Sequence, residues 1–126
     1  MLLGLYIIVD DDVEDPVYAE PNPADLDDGV WEKVCETVEA LIDGDADARG
    51  STSVGEAVVA WRAMVKLGLT FVAVVSDDVK VSQIDAYLTK LAKRYVDEVD
   101  ELRTPDRGGV ADVVLDVVPP WEDDDD

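Results

Sequence analysis

Histidine is absent from this chain, cysteine occurs once, and basic residues are scarce, with 10 Lys and Arg against 31 Asp and Glu. Each shortage excludes a class of chemistry. Without histidine there is no Ser-His-Asp or Cys-His nucleophile, no imidazole general base and no ordinary zinc site. With Cys35 alone, no disulfide forms within the chain. Phosphate backbones are gripped by clustered Lys and Arg, and no such cluster occurs, so nucleic acid is not an expected partner. Anionic membranes are disfavoured on the same ground. No apolar run approaches the roughly 20 residues that span a bilayer. The apolar start, Met1 to Val9, has no positive residue before it and ends in Asp10-Asp11-Asp12. It reads as a buried strand, not a signal peptide, and the chain is expected to be cytoplasmic.

What is present is acid and apolar residue together. The net charge is -21, 22 of the acids are Asp, and hydrophobic residues still make up 48% of the chain. Such a composition builds a core, so the chain is not an acidic tail. Like charge at this density opposes compaction, but in molar salt the Debye length falls to about 3 Å and the repulsion is screened. The Asp excess, spread over the whole chain, is the composition of halophilic, archaeal-type proteins. A second reading of the acids is a protein that binds cations or a basic partner.

At 126 residues the chain fits one domain, expected over 1–120 with an acidic tail at 121–126. Leu2 to Val9 suits a central strand. A turn through Asp15-Pro16 leads to a short strand at Pro16–Glu20, paired back as a hairpin and ended by Pro21 and Pro23. Asp25, Asp27 or Asp28 is placed to cap a helix from about Gly29 to Ile42, whose stripe is Val30, Trp31, Val34, Cys35, Val38, Leu41 and Ile42. Glu32, Glu36 and Glu39 lie opposite. Arg49 to Glu56 suits a weak edge strand. In Ala57 to Val65, Ala57, Val59, Trp61, Ala63 and Val65 point one way and Val58, Ala60, Arg62, Met64 and Lys66 the other. After a turn at Lys66-Leu67-Gly68, Leu69 to Val75 is a buried strand. Ser82 is expected to cap a long helix reaching Arg103, with Asp85 at its third position and a buried stripe of Val81, Ile84, Leu88, Leu91, Tyr95, Val99 and Leu102. A last short helix carries Val110, Val113, Val114, Val117 and Val118. The order is β-β-α-β-β-β-α-α: an α/β chain of the α+β sandwich kind, with a five-stranded, mainly antiparallel sheet.

Three motifs invite a catalytic or metal reading and fall short. Ile7 to Asp12 resembles the start of a response-regulator receiver, but Pro16, Pro21 and Pro23 forbid the helix that should follow. The same acids resemble the nucleophile loop of haloacid-dehalogenase-type phosphatases, with Glu14 where Thr or Val belongs. Asp43, Asp45 and Asp47 match positions one, three and five of a calcium loop. Ala48 then stands at the glycine position and Val54 at the glutamate position. No glycine pattern cradles a phosphate. No catalytic residue, metal or cofactor is expected.

The element order resembles that of longin domains, whose roadblock cousins carry an extra helix in front. Leu5-Tyr-Ile-Ile-Val9, a turn, then Asp15-Pro-Val-Tyr18 looks like the opening of the sedlin branch of trafficking-complex longins. Trp61 followed by Leu69-Thr-Phe-Val-Ala-Val-Val75 is similar to that family's central hairpin, and Ser82 to Arg103 to its long helix. The resemblance covers nearly the whole chain, in apolar pattern more than in invariant chemistry. It implies a domain without an active site that binds a small Ras-like GTPase or another longin/roadblock domain, as a homo- or heterodimer. It also implies that the first helix alone covers one sheet face. Trp31, Arg62, Met64 and Lys66 are then expected beside that helix as a partner interface. The alternatives are a self-associating structural subunit without a GTPase and an acid-dependent, metal-binding enzyme or sensor using the acids near Asp10 or Asp77.

Overall fold

The computed structural model of the chain describes residues 2–9, 16–20, 28–42, 48–64, 68–99 and 107–117. The elements are β1 (Leu2–Val9), β2 (Tyr18–Glu20), α1 (Asp28–Ile42), β3 (Ala48–Val54), β4 (Ala57–Met64), β5 (Leu69–Ser76), α2 (Val81–Glu98) and α3 (Arg107–Asp116). The strands form one antiparallel sheet in the order β2-β1-β5-β4-β3. The mixed α/β class, the five strands and the element order are those that the sequence predicts.

Alternation decides which face each residue serves. In β1, Leu5 and Ile7 face one layer while Tyr6 and Ile8 face the other. In β5, Phe71, Ala73 and Val75 go with Leu5, whereas Val72 and Val74 go with Tyr6. Both faces of the sheet are covered, so β5 is a continuous buried run from Leu69 to Val75. The larger layer packs Ile84, Tyr87, Leu88, Leu91, Ala92 and Tyr95 of α2, with Val110, Val113, Val114 and Val117 from the region of α3, onto the sheet. The smaller layer sets Val30, Val34 and Val38 of α1 on Tyr6, Ile8, Val59, Val72 and Val74. A fully buried side chain of this size contributes roughly 1.5–3 kcal/mol, so the apolar stripes, more than helix propensity, hold these helices in place. Phe71 and Tyr95 meet edge-on with ring centroids 5.5 Å apart, joining β5 to α2.

Glycine marks two tight places. Gly55, at φ +61°, turns β3 into β4, a backbone conformation that costs other residues energy. Gly50 lies directly across from Trp61, and a Cβ there would stand 2.9 Å from the indole Cζ2.

Two helix boundaries differ from the sequence expectation. The helix starts at Val81, and Lys80 at its N-cap gives no side-chain cap, so Ser82 is not the cap. The buried Val79 anchors a turn in which its N–H donates to the Ser76 carbonyl at 3.2 Å. The next residues then enter the helix at once. At the other end α2 stops at Glu98 and not at Arg103. Val99 is extended, at φ -97° and ψ 116°. Its N–H still donates to the Tyr95 carbonyl at 2.9 Å. The β-branched Val99 opposes continuation, as do Asp97 and Glu98, whose charges lie at the negative end of the helix dipole. The second strand is also shorter than expected, beginning at Tyr18, although the Val17 N–H donates to the Ile7 carbonyl. The Asp10–Asp12 turn, the Asp43–Asp47 loop, Lys66, Leu102, Val118 and the tail from Trp121 lie outside the described residues.

Candidate interaction surface

Of the four residues expected beside α1, Trp31 lies on one face of the sheet and Arg62 and Met64 on the other. Trp31 is half-buried on α1 and packs into the smaller layer, its ring tilted against Tyr6 with centroids 5.1 Å apart. Arg62 and Met64 occupy the opposite face of β4. Met64 packs against the α2 layer, and the Arg62 Nη1 donates to Thr89 Oγ1 of α2 at 3.3 Å. Lys66 is outside the described residues. The sheet residue that does join Trp31's layer is Trp61. The prediction of two alternating sets in β4 is correct, but α1 lies over the odd-numbered set, not the even. Trp31 and Trp61 are thus both half-buried against the α1 layer, while Glu32, Glu36 and Glu39 are exposed on the helix. Lys33 reaches Glu36 at 4.0 Å.

At the end of the sheet β3 has β4 as its neighbour on one side and no strand on the other among the described residues. It runs seven residues in continuous register, from Ala48↔Ala63 to Val54↔Ala57. The strand contains no proline, lysine or acid. Natural edges are usually blunted by such residues, by bulges or by brevity, and the opposite edge, β2, has three residues. Arg49 and Arg62 face each other directly across β3 and β4. Both reach the same flank of α2, since the Arg49 Nη1 pairs with Asp85 Oδ2 at 3.2 Å, one turn from Thr89. The Nε of Arg62 is buried with no acceptor among the described residues. The sequence signal for this corner is a lone arginine in a strand of small and hydroxyl residues.

Between α2 and α3 lies an open groove of about 460 Å³ lined by Glu98, Gly109, Asp112, Val113, Leu115 and Asp116. Arg94 pairs with both Glu98 and Asp116 there, tying the two helices together, and Leu115 beside them is 76% exposed. At the β5–α2 turn the Ser76 hydroxyl donates to Asp78, and this bond first of all holds the Asp78 carboxyl below its usual range. Burial raises the Tyr95 phenol to about 12. The Tyr18 phenol is raised by burial and then by the charge of Glu20. Among the described residues no three His, Cys, Asp or Glu side chains are grouped to hold a metal ion, and no described helix is long and apolar enough to cross a membrane. No family model and no curated protein matches the chain.

Proposed function

We propose that this chain is a non-catalytic interaction domain of longin/roadblock type, acting as an adaptor or regulator of a small Ras-like GTPase in a salt-rich cytoplasm. The observation that carries the reading is the division of the sheet. Among the described residues one face carries α1 alone and the other carries α2 and α3, which is the arrangement the longin resemblance implies. Fold likeness is an associational ground for function, and the surfaces add a physical one. The half-buried Trp31 and Trp61 of the α1 layer, and a seven-residue β3 edge with no strand beyond it among the described residues, are both suited to protein contact. The acid excess supports the salt-rich setting, where the screened charge permits a compact chain.

A second reading, self-association without a GTPase, is favoured by the β3 edge alone, since an open edge pairs as readily with a copy of itself. Purification of the tagged protein from its native cells in molar potassium chloride, with and without added GTP, separates the two. A stoichiometric small GTPase whose recovery follows the nucleotide supports the adaptor. Recovery of this chain only, as a discrete assembly, refutes it and leaves the structural subunit.

A further inference from the structure

We infer that the β3 edge, with Arg49 and Arg62 behind it, is a docking site for an acidic strand of a different chain, added to the sheet beside β3 with a carboxylate on the α2 side. The inference rests on reading the edge as an interaction surface and does not depend on a GTPase. Like charges directly opposite on neighbouring strands destabilise a sheet. Arg49 and Arg62 are such a pair, in a chain with three times as many acids as bases. Arg49 has Asp85 as its counter-ion. Arg62 has no carboxylate within ion-pair distance among the described residues, and its one side-chain bond goes to a neutral hydroxyl. A guanidinium offers five donors in a fixed fork suited to carboxylate. A strand paired to β3 supplies backbone partners for the open edge, as in other strand-addition complexes. The residue opposite Arg49 on such a strand sits about 5 Å from it. A carboxylate there is within the combined side-chain reach of Arg49 and Arg62.

The same geometry chooses between partners. A second copy offers β3 again, with its own arginine and without an acid. It completes the backbone pairing but brings no counter-charge. A strand carrying Asp or Glu at alternate positions brings both, so the edge selects a foreign acidic strand over itself.

The test uses two eight-residue probe peptides, one alternating Asp with Val and one alternating Asn with Val. They are titrated into the full chain at the lowest potassium chloride concentration that preserves cooperative melting. Fluorescence anisotropy gives affinity and backbone amide spectra locate binding. The Asp peptide is expected to bind about tenfold or more tightly than the Asn peptide, as loss of charge-assisted bonds implies, with shifts concentrated at residues 49–54. Arg62→Gln and Arg49→Gln should each erase most of that preference, while Arg62→Lys, which keeps charge but loses the fork, retains part of it. Equal affinity for the two peptides, absence of binding by either, or shifts away from β3 overturns the inference. So does a dimer of the chain alone with β3 amides protected from exchange. Nucleotide-dependent recovery of a GTPase by the Arg49→Gln and Arg62→Gln variants keeps the adaptor reading intact while this one fails.

Discussion

Replacing Gly50 by Ala should destabilise this protein, against the usual trend for glycine in a strand. An interior strand glycine normally costs about 0.5–1 kcal/mol relative to alanine, through its freedom in the unfolded chain. At Gly50 the new Cβ meets Trp61 at 2.9 Å from Cζ2 and 3.2 Å from Cε2, inside the 3.5–4.0 Å of comfortable carbon contact. The obstacle is a rigid indole packed in the α1 layer, so relief requires moving the ring or spreading β3 from β4. Overpacking of this kind costs about 1–3 kcal/mol. The net loss is then about 0.5–2 kcal/mol. The decisive measurement is a double-mutant cycle with Trp61→Val. With the ring removed the clash vanishes, and Gly50→Ala should become neutral or stabilising by about 0.5–1 kcal/mol. Thermal melts in molar potassium chloride read this as a fall in Tm of a few degrees in one background and a rise in the other. Equal effects in both backgrounds, or a gain in the wild type, would refute the assignment of Gly50 to Trp61.

Two further predictions concern the larger core. Phe71→Ala removes a fully buried ring and its edge-on contact with Tyr95, so chemical denaturation should show a loss of about 3–5 kcal/mol. The Tyr95 phenol is held neutral to about 12 in the fold, while the unfolded chain ionises it at the ordinary phenol value of 10.0. Its contribution is therefore complete below pH 10 and lost as pH rises from 10 through 12. Tm measured across that window should fall less steeply in Tyr95→Phe than in the wild type, and identical slopes would contradict the burial of this group.

Much of the architecture is legible in the residues. The alternation of Ala57–Met64, the unbroken apolar run of Leu69–Val75 and most of the 3.6-residue stripes of α1 and α2 appear in the structure at the expected places, but Val81, expected in the α2 stripe, is exposed. Tyr87 and Ala92 of α2 are buried yet fall outside the expected stripe, because a hydroxyl and a small side chain both weaken the apolar signal. Periodicity also says nothing about pairing partners, so the place of β1 between β2 and β5 is not readable from it. Trp31 lies on a different face from Arg62 and Met64 for a related reason. Alternation separated Trp61 from Arg62, but only the packing of α1 reveals which set it covers. Arg49 was passed over because its meaning lies in Arg62, Asp85 and Thr89, brought together by register and helix placement.

The strand order also has a consequence for how the chain folds. β1, the earliest strand of this sheet in the sequence, pairs along nearly its whole length with β5, from Leu2↔Val75 to Val9↔Leu69. Closing a loop of about 60 residues costs roughly 3–4 kcal/mol of chain entropy before any of those contacts form. The β3-β4-β5 meander needs only short connections, so local pairing can assemble three strands first and present the flank of β5 as a template. Until β1 arrives, that flank is an apolar edge of Leu69, Phe71, Val72, Val74 and Val75. The slow step of folding and the moment of greatest exposure to misassembly are then the same event: the return of β1 to its place between β2 and β5.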